Sequence, residues 1–187
     1  KGYLQRLREI CDKHGILLIF DEVITGWGRT GSPFGSQEFG VTPDLITMAK
    51  ATTNGIVPLG AVACKEEIYD AVVDNAPQGV IELFHGYTYS GIPISVAAGL
   101  AVQEIFEKED IFKRAKEMSP YFQEGLMSLK DLEAVENIRG YGMMGGIDMK
   151  MDKKPGAAGF TCFKHCYDAG VNFKATGDCL IIAPMFI

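Results

Sequence analysis

A short, continuous apolar stretch near the start of the chain constrains the fold more than any other feature. Residues 16–20 read Ile-Leu-Leu-Ile-Phe and end in the acidic pair Asp21-Glu22. They follow an amphipathic stretch, residues 3–14, whose apolar side chains recur at helical spacing and which Gly15 closes as a C-cap. A helix that leads into an all-apolar strand is typical of an α/β fold with a buried, mainly parallel sheet.

The stretches that follow have the same character up to about residue 107. Gly- and Pro-rich residues 26–40 indicate a loop, and two further strands and two helices are predicted at 45–49, 60–64, 66–73 and 93–107. The pattern then changes, with helices at 111–129 and 156–169 and strand-like stretches at 138–149, 171–174 and 180–184. We therefore expect an α/β domain over residues 1–107 and a small α+β domain over 108–187.

Composition excludes several classes of partner. The 187 residues carry a net charge of −6 without a block of like charges, which indicates neither nucleic acid nor a membrane surface as a partner. The apolar runs are too short to span a bilayer. The chain begins without Met and ends inside an apolar run, so we expect it to be part of a longer protein.

Cysteine usage bears on compartment and on metal binding. Five cysteines make an odd number without the spacing of a disulfide framework, which favours reduced thiols in the cytoplasm. Cys162, His165 and Cys166 lie close together on a predicted helix, but no second ligand pair accompanies them. Buried thiols on a helix face are favoured over a metal site, so we predict no metal.

Two polar residues follow predicted strands and are the first candidates for chemistry. Asp21 ends the first strand and Lys50 ends the second. Because open α/β sheets bind ligands beyond the carboxyl ends of their strands, both side chains are expected at one crevice. Burial there would lower the pKa of the lysine, as a Schiff-base lysine requires. A structural salt bridge or two solvated loop residues would give the same pattern.

The glycines that follow Asp21 match a dinucleotide-binding pattern only superficially. Gly26, Gly28 and Gly31 satisfy G-x-G-x-x-G after a strand. That motif needs a helix to begin at once, so that its N-terminus faces the pyrophosphate. Ser32-Pro33-Phe34-Gly35 does not predict one, and we reject the interpretation.

Three segments, in this order, resemble the class III (ω-) aminotransferases. They are residues 18–31 (LIFDEVITGWGRTG), 43–62 (PDLITMAKATTNGIVPLGAV) and 85–91 (HGYTYSG). The third is similar to the version found in ω-amino acid (β-alanine):pyruvate aminotransferases. The resemblance implies part of a large domain of pyridoxal 5′-phosphate (PLP) fold type I, followed by part of the small C-terminal domain.

The resemblance also implies roles for individual residues. Lys50 would carry PLP as an internal aldimine and then move a proton between the substrate and cofactor carbons. Asp21 would pair with the pyridine nitrogen, and Val23 would pack on one face of the ring. Thr88 would bind the phosphate in the neighbouring subunit of a homodimer whose active sites are shared.

Substrate recognition departs from the family pattern. Lys174 stands where members of this type carry an Arg that binds the substrate carboxylate, and Tyr87 is a second candidate for substrate contact. Lysine keeps the charge but loses the planar fork of arginine, so we expect weaker or altered recognition of the carboxylate. Arg29 is expected to organise the Gly-rich loop and His85 to be structural.

The implied reaction moves an amino group from an ω-amino acid or amine to pyruvate or a similar oxo acid, through a pyridoxamine intermediate. An aminomutase or decarboxylase of the same fold is an alternative, as is a non-catalytic fragment of such an enzyme. Family members complete the phosphate and ring sites with groups that would precede Lys1. By itself the chain is therefore expected to supply half of a site, which puts its activity alone in question.

Overall fold

Two units make up the chain in the computed structural model, which describes residues 2–83, 88–151 and 154–187. The first unit runs to Trp27 and then from Pro33 to Asp110, and the second consists of Gly28–Ser32 and Ile111–Ile187. The domain ranges inferred above, 1–107 and 108–187, stay predictions.

Helices and short strands alternate in the first unit. The helices are α1 (Tyr3–His14), α2 (Gly35–Phe39), α3 (Glu66–Asp74) and α4 (Pro93–Lys108), and the strands are β1 (Ile19–Asp21), β2 (Leu45–Met48) and β3 (Ala61–Cys64). A 3₁₀ turn spans Lys50–Thr52. Helix α1 has the predicted ends, and Gly15 closes it in the left-handed conformation. Helix α2 lies inside the stretch predicted as a loop.

Among the described residues of the first unit, three strands form a mixed sheet in the order β1-β2-β3. Strands β1 and β2 are parallel, whereas β2 and β3 are antiparallel. The α/β class is confirmed, but the strands of this chain are not mainly parallel as expected. A parallel crossover usually carries a helix, and residues 49–60 form only the 3₁₀ turn and a loop between β2 and β3.

Burial of the first strand is also less than the sequence predicts. The strand begins at Ile19 rather than Ile16, and Ile16, Leu17 and Ile19 are each more than half exposed, at 54%, 56% and 56%. In this chain β1 is an edge strand of the sheet. The apolar run therefore predicts the presence of the strand, but the predicted burial of its side chains is wrong.

The second unit packs two helices with an antiparallel sheet. Helices α5 (Ile111–Met127) and α6 (Ala157–Asp168) accompany strands β4 (Val135–Tyr141), β5 (Met144–Met149), β6 (Lys174–Thr176) and β7 (Cys179–Ile182), which lie in the order β4-β5-β7-β6. The buried core consists of Leu126, Val135, Ile147, Met149 and Leu180. This unit has the α+β character expected from the sequence.

Two strand predictions in this unit need correction. The stretch 138–149 is a hairpin rather than one strand, because Gly142 turns the chain with a φ of 58° that favours glycine. The strand expected at 171–174 begins only at Lys174.

Segment 28–32 belongs to the second unit through Arg29. The guanidinium donates to the carbonyls of Met143 and Pro184 and lies 4.5 Å from the ring centroid of Phe186. The Met143 N–H donates back to the Arg29 carbonyl at 2.8 Å. Burial lowers the pKa of Arg29. Arg29 therefore organises its loop, as expected.

Features relevant to membranes and metals can be stated for the described residues. None of their helices is long and apolar enough to cross a bilayer. The five cysteines are free thiols. Within residues 2–83, 88–151 and 154–187, no three His, Cys, Asp or Glu side chains are grouped to hold a metal ion.

Candidate active site

Asp21 lies at the carboxyl end of β1, next to Thr47 of the parallel strand β2. The Thr47 hydroxyl donates to Oδ1 of Asp21 at 3.1 Å, and the backbone N–H of Val23 donates to the same oxygen at 3.1 Å. Both bonds orient the carboxylate through Oδ1, and neither of them occupies Oδ2. Because Asp21 is exposed, Oδ2 can accept from a donor that the chain itself does not supply.

Lys50 follows β2 after one residue, Ala49, and begins the 3₁₀ turn. Its φ is 47°, in the left-handed region that non-glycine residues rarely adopt. Its side chain is exposed, so the burial expected around the amine is not provided by this chain. Lys50 and the loop of residues 53–60 line a cavity of about 370 Å³.

The sheet register brings the surroundings of these two residues together. Asp21 pairs with Thr47, and the chain continues from Thr47 through Met48 and Ala49 to Lys50. Asp21 therefore ends β1, and Lys50 follows β2, at the same carboxyl-terminal end of these two parallel strands. The strand-end argument from the sequence predicts this placement. Thr47 was missed in the sequence, where the one signal was a hydroxyl inside the apolar run Leu45–Met48.

The other predicted site residues are spread over both units. Val23 is half-buried in the turn after β1, and Thr88 lies in an exposed turn that precedes α4. Lys174 begins β6 in the second unit, is exposed and pairs in register with Ile181 of β7. Tyr87 and His85 lie outside the described residues.

A buried carboxylate next to Asp21 was not singled out from the sequence. Glu22 is only 2% exposed, and its oxygens accept from the N–H groups of Gly35 at 2.9 Å and Ser36 at 2.7 Å. The Thr25 hydroxyl donates to the same carboxylate at 2.5 Å. The N–H groups at the start of α2 are therefore bound to a side chain of the protein. This agrees with our rejection of a dinucleotide-binding turn.

Comparison with known proteins identifies the family. The model of the family "Aminotransferase class-III" matches residues 1–187. The chain belongs to the class III aminotransferases. An ω-aminotransferase of Caulobacter vibrioides is 50% identical to it over 190 residues, an alignment that covers 100% of this chain and 43% of that protein. A β-alanine–pyruvate aminotransferase of Pseudomonas aeruginosa is 45% identical over 187 residues and is covered to 42%, with 99% of this chain aligned.

Solved structures of this family have the same fold. A transaminase with L-alanine superimposes with a TM-score of 0.91 at 31% identity, over 100% of this chain and 46% of that one. The ω-transaminase of Pseudomonas jessenii in complex with PMP gives a TM-score of 0.91 at 28% identity, over 100% of this chain and 43% of that one. This chain spans less than half the length of the curated class III aminotransferases it matches.

Proposed function

We propose that this chain holds the lysine and the carboxylate of a PLP-dependent aminotransferase that moves an amino group from an ω-amino acid or amine to pyruvate or a similar oxo acid. The observation that carries the proposal is the register of Asp21 with Thr47, which puts Asp21 and Lys50 beyond one edge of the sheet. The names of the Caulobacter and Pseudomonas relatives support the substrate class.

The described residues fit such a cofactor chemically. Lys50 offers an exposed primary amine beside a cavity bordered by Gly55 and Gly60. Asp21 offers an exposed carboxylate that is already oriented through Oδ1. The aldehyde of PLP requires a primary amine to form a Schiff base, and its protonated ring nitrogen requires a carboxylate to accept its hydrogen bond.

Each residue then has one task. When bound, PLP carries the amino group and withdraws electrons from the substrate carbon. Lys50 would hold the cofactor through its amine and, as a free amine, would move a proton at the reacting carbon. Asp21 would accept a hydrogen bond from the protonated ring nitrogen, and the Thr47 hydroxyl orients its carboxylate through Oδ1. Val23 excludes water from one face of the ring.

The remaining roles concern the phosphate and the substrate. Thr88 supplies a hydroxyl to the phosphate bound by a neighbouring copy, so the proposal includes a homodimer with a shared active site. Lys174 supplies a positive charge to the substrate carboxylate, with Tyr87 as a second contact. Cytoplasmic localisation is part of the proposal and is supported by the odd number of cysteines.

Reductive trapping tests the proposal. Purified chain is mixed with PLP, its visible spectrum is recorded, and the adduct is reduced with borohydride and mapped by peptide mass. We expect the label on Lys50, its loss in Lys50→Arg, and its retention in the control Lys130→Arg. A label that is stronger on another lysine than on Lys50 would contradict the proposal. No label at saturating PLP would show that this chain does not hold the cofactor without the groups that complete the site.

A further inference from the structure

The turn that carries Lys50 is fixed by the side chain of Thr52. The Thr52 hydroxyl donates to the carbonyl of Ala49 at 2.9 Å, and the Thr52 N–H donates to the same carbonyl at 3.0 Å. Thr52 is only 6% exposed. The peptide group that joins Ala49 to Lys50 is therefore held by two hydrogen bonds from one buried residue.

Trp27 extends this connection to the Gly-rich loop. Its indole Nε1–H donates to the Thr52 hydroxyl at 3.0 Å. The Thr52 oxygen thus accepts one hydrogen bond and donates another, as a hydroxyl can. The two bonds form a continuous chain from the indole to the Ala49 carbonyl.

Aromatic packing fixes Trp27 itself. Its ring lies 5.2 Å from the Phe34 ring and 6.2 Å from the Phe106 ring, measured between centroids. Its backbone φ is 62°, in the left-handed region. A non-glycine residue keeps such a conformation only where its surroundings determine it, and here the two rings and the hydrogen bond do so.

Lys50 shares this unusual backbone, with a φ of 47°. The direction in which its side chain leaves the turn depends on that conformation. The hydroxyl of Thr52 restrains this turn from the side-chain level, by its bond to the preceding carbonyl. Relaxation of Lys50 to an ordinary φ would redirect its amine, and the bond from Thr52 opposes this change.

We propose that Trp27 and Thr52 are positioning residues that set the direction of the Lys50 amine. The inference rests on the proposed function, because it assumes that Lys50 is the lysine that binds PLP. It links two segments that carry different parts of the site. Trp27 follows Asp21 and Val23 in the first segment, and Thr52 follows Lys50 in the second.

The rate of reductive labelling at Lys50 measures this role. Wild type, Trp27→Phe, Thr52→Val and the double variant are treated with limiting PLP and borohydride, and the label on Lys50 is divided by that on Lys130. Phenylalanine keeps an aromatic ring but removes the donor, and valine removes the hydroxyl at nearly constant size. We expect each single variant to lower the ratio roughly threefold to tenfold, the effect of one hydrogen bond.

Non-additivity and rescue separate positioning from general stability. Because both residues act through one chain of hydrogen bonds, the double variant should lower the ratio no further than the worse single variant. Thr52→Ser keeps the hydroxyl and should restore the ratio to within about twofold of wild type. The control is Ser119→Ala in the second unit, where a hydroxyl that also donates to a carbonyl is lost. It should leave the ratio unchanged.

The outcomes distinguish the two proposals. If wild type is labelled at Lys50 but Trp27→Phe and Thr52→Val match it, the positioning role is wrong and the proposed function stands. If the variants lower the ratio and also lose the circular dichroism of the folded chain, the residues act on overall stability and the positioning role is again wrong. A wild-type label that is stronger on another lysine than on Lys50 overturns the proposed function instead.

Discussion

The carboxylate of Glu22 accepts a hydrogen bond of 2.7 Å from the backbone N–H of Ser36, and thereby ties the strand that carries Asp21 to the start of α2. A second bond, from Gly35, ends on the other carboxylate oxygen. Glutamine has one carbonyl oxygen and one amide donor, so Glu22→Gln would turn an N–H group toward a backbone N–H. We expect a loss of about 2 to 3 kcal/mol in the free energy of unfolding.

Urea unfolding followed by circular dichroism measures this loss. Glu9→Gln is a suitable control, because Glu9 pairs with Arg6 on the surface, where the side chains are 62% and 71% exposed. It should change the free energy of unfolding by less than about 1 kcal/mol. Equal effects of the two substitutions would refute the structural role of Glu22.

Asp44 makes stability depend on acid. Its carboxylate binds Lys65 at 2.7 Å and Arg8 at 2.8 Å, and accepts from the Leu18 N–H at 2.6 Å. The hydrogen bond from Lys65, followed by that from Leu18, holds the pKa of Asp44 well below its usual range. Asp44→Asn breaks a mostly buried cluster and should cost about 3 kcal/mol at neutral pH.

The pH dependence follows from the direction of this shift. Because the folded pKa is depressed, the stabilisation is complete above the unfolded pKa of about 3.9 and is lost as the pH falls toward the folded value. The difference between wild type and Asp44→Asn should therefore be constant down to about pH 4 and should shrink below it. Urea midpoints at a series of pH values measure it. Asp12 also pairs with Arg8, but its side chain is 65% exposed, so Asp12→Asn is the control. We expect it to change the free energy of unfolding by less than about 1 kcal/mol.

Two helical glycines should respond to alanine with opposite signs. A Cβ at Gly159 in α6 would overlap the Gly177 carbonyl oxygen and lie 2.9 Å from the Asp178 Cα. Both are backbone atoms, and the Asp178 carboxylate holds them close by accepting from the Gly156 and Gly159 N–H groups at 2.7 and 3.0 Å. Gly159→Ala should therefore cost about 3 kcal/mol through overpacking.

Gly125 in α5 is the matched control. A Cβ there meets nothing within 4 Å, so alanine adds only helix propensity. Gly125→Ala should stabilise the second unit by up to about 1 kcal/mol. Thermal unfolding of the two variants checks both signs, and destabilisation by Gly125→Ala would show that the helix environment is misassigned.

The elements that could be predicted are those whose causes are local. The sequence predicts helix α1 at residues 3–14, as the structure has it, because the helical spacing and the Gly15 cap are local signals. Helix α2 was missed because it has five residues, too few to show a period, and is held by the remote carboxylate of Glu22. The direction of β3 depends on how the chain returns from β2, which apolar spacing does not encode.

The same distinction applies to the site. The positions of Asp21 and Lys50 beyond strand ends could be predicted, because apolar runs end visibly at polar residues. The contacts of Thr47 and Trp27 could not, because they depend on strand register and on backbone conformations with positive φ. Hydrogen bonds between side chains distant in sequence carry no signal in a single sequence.

Recognition of the substrate carboxylate by Lys174 gives the last prediction. Lys174 is exposed at the start of β6, where it pairs in register with Ile181 of β7. Lys174→Arg keeps the charge and adds a planar fork that can bind both carboxylate oxygens. We expect the Michaelis constant for pyruvate to fall by roughly threefold to tenfold, since the fork adds one hydrogen bond with a net value of about 1 kcal/mol. The control Lys164→Arg makes the same exchange at an exposed position of α6 and should leave the constant unchanged. A Michaelis constant that is the same in Lys174→Arg and wild type would remove Lys174 from the substrate site.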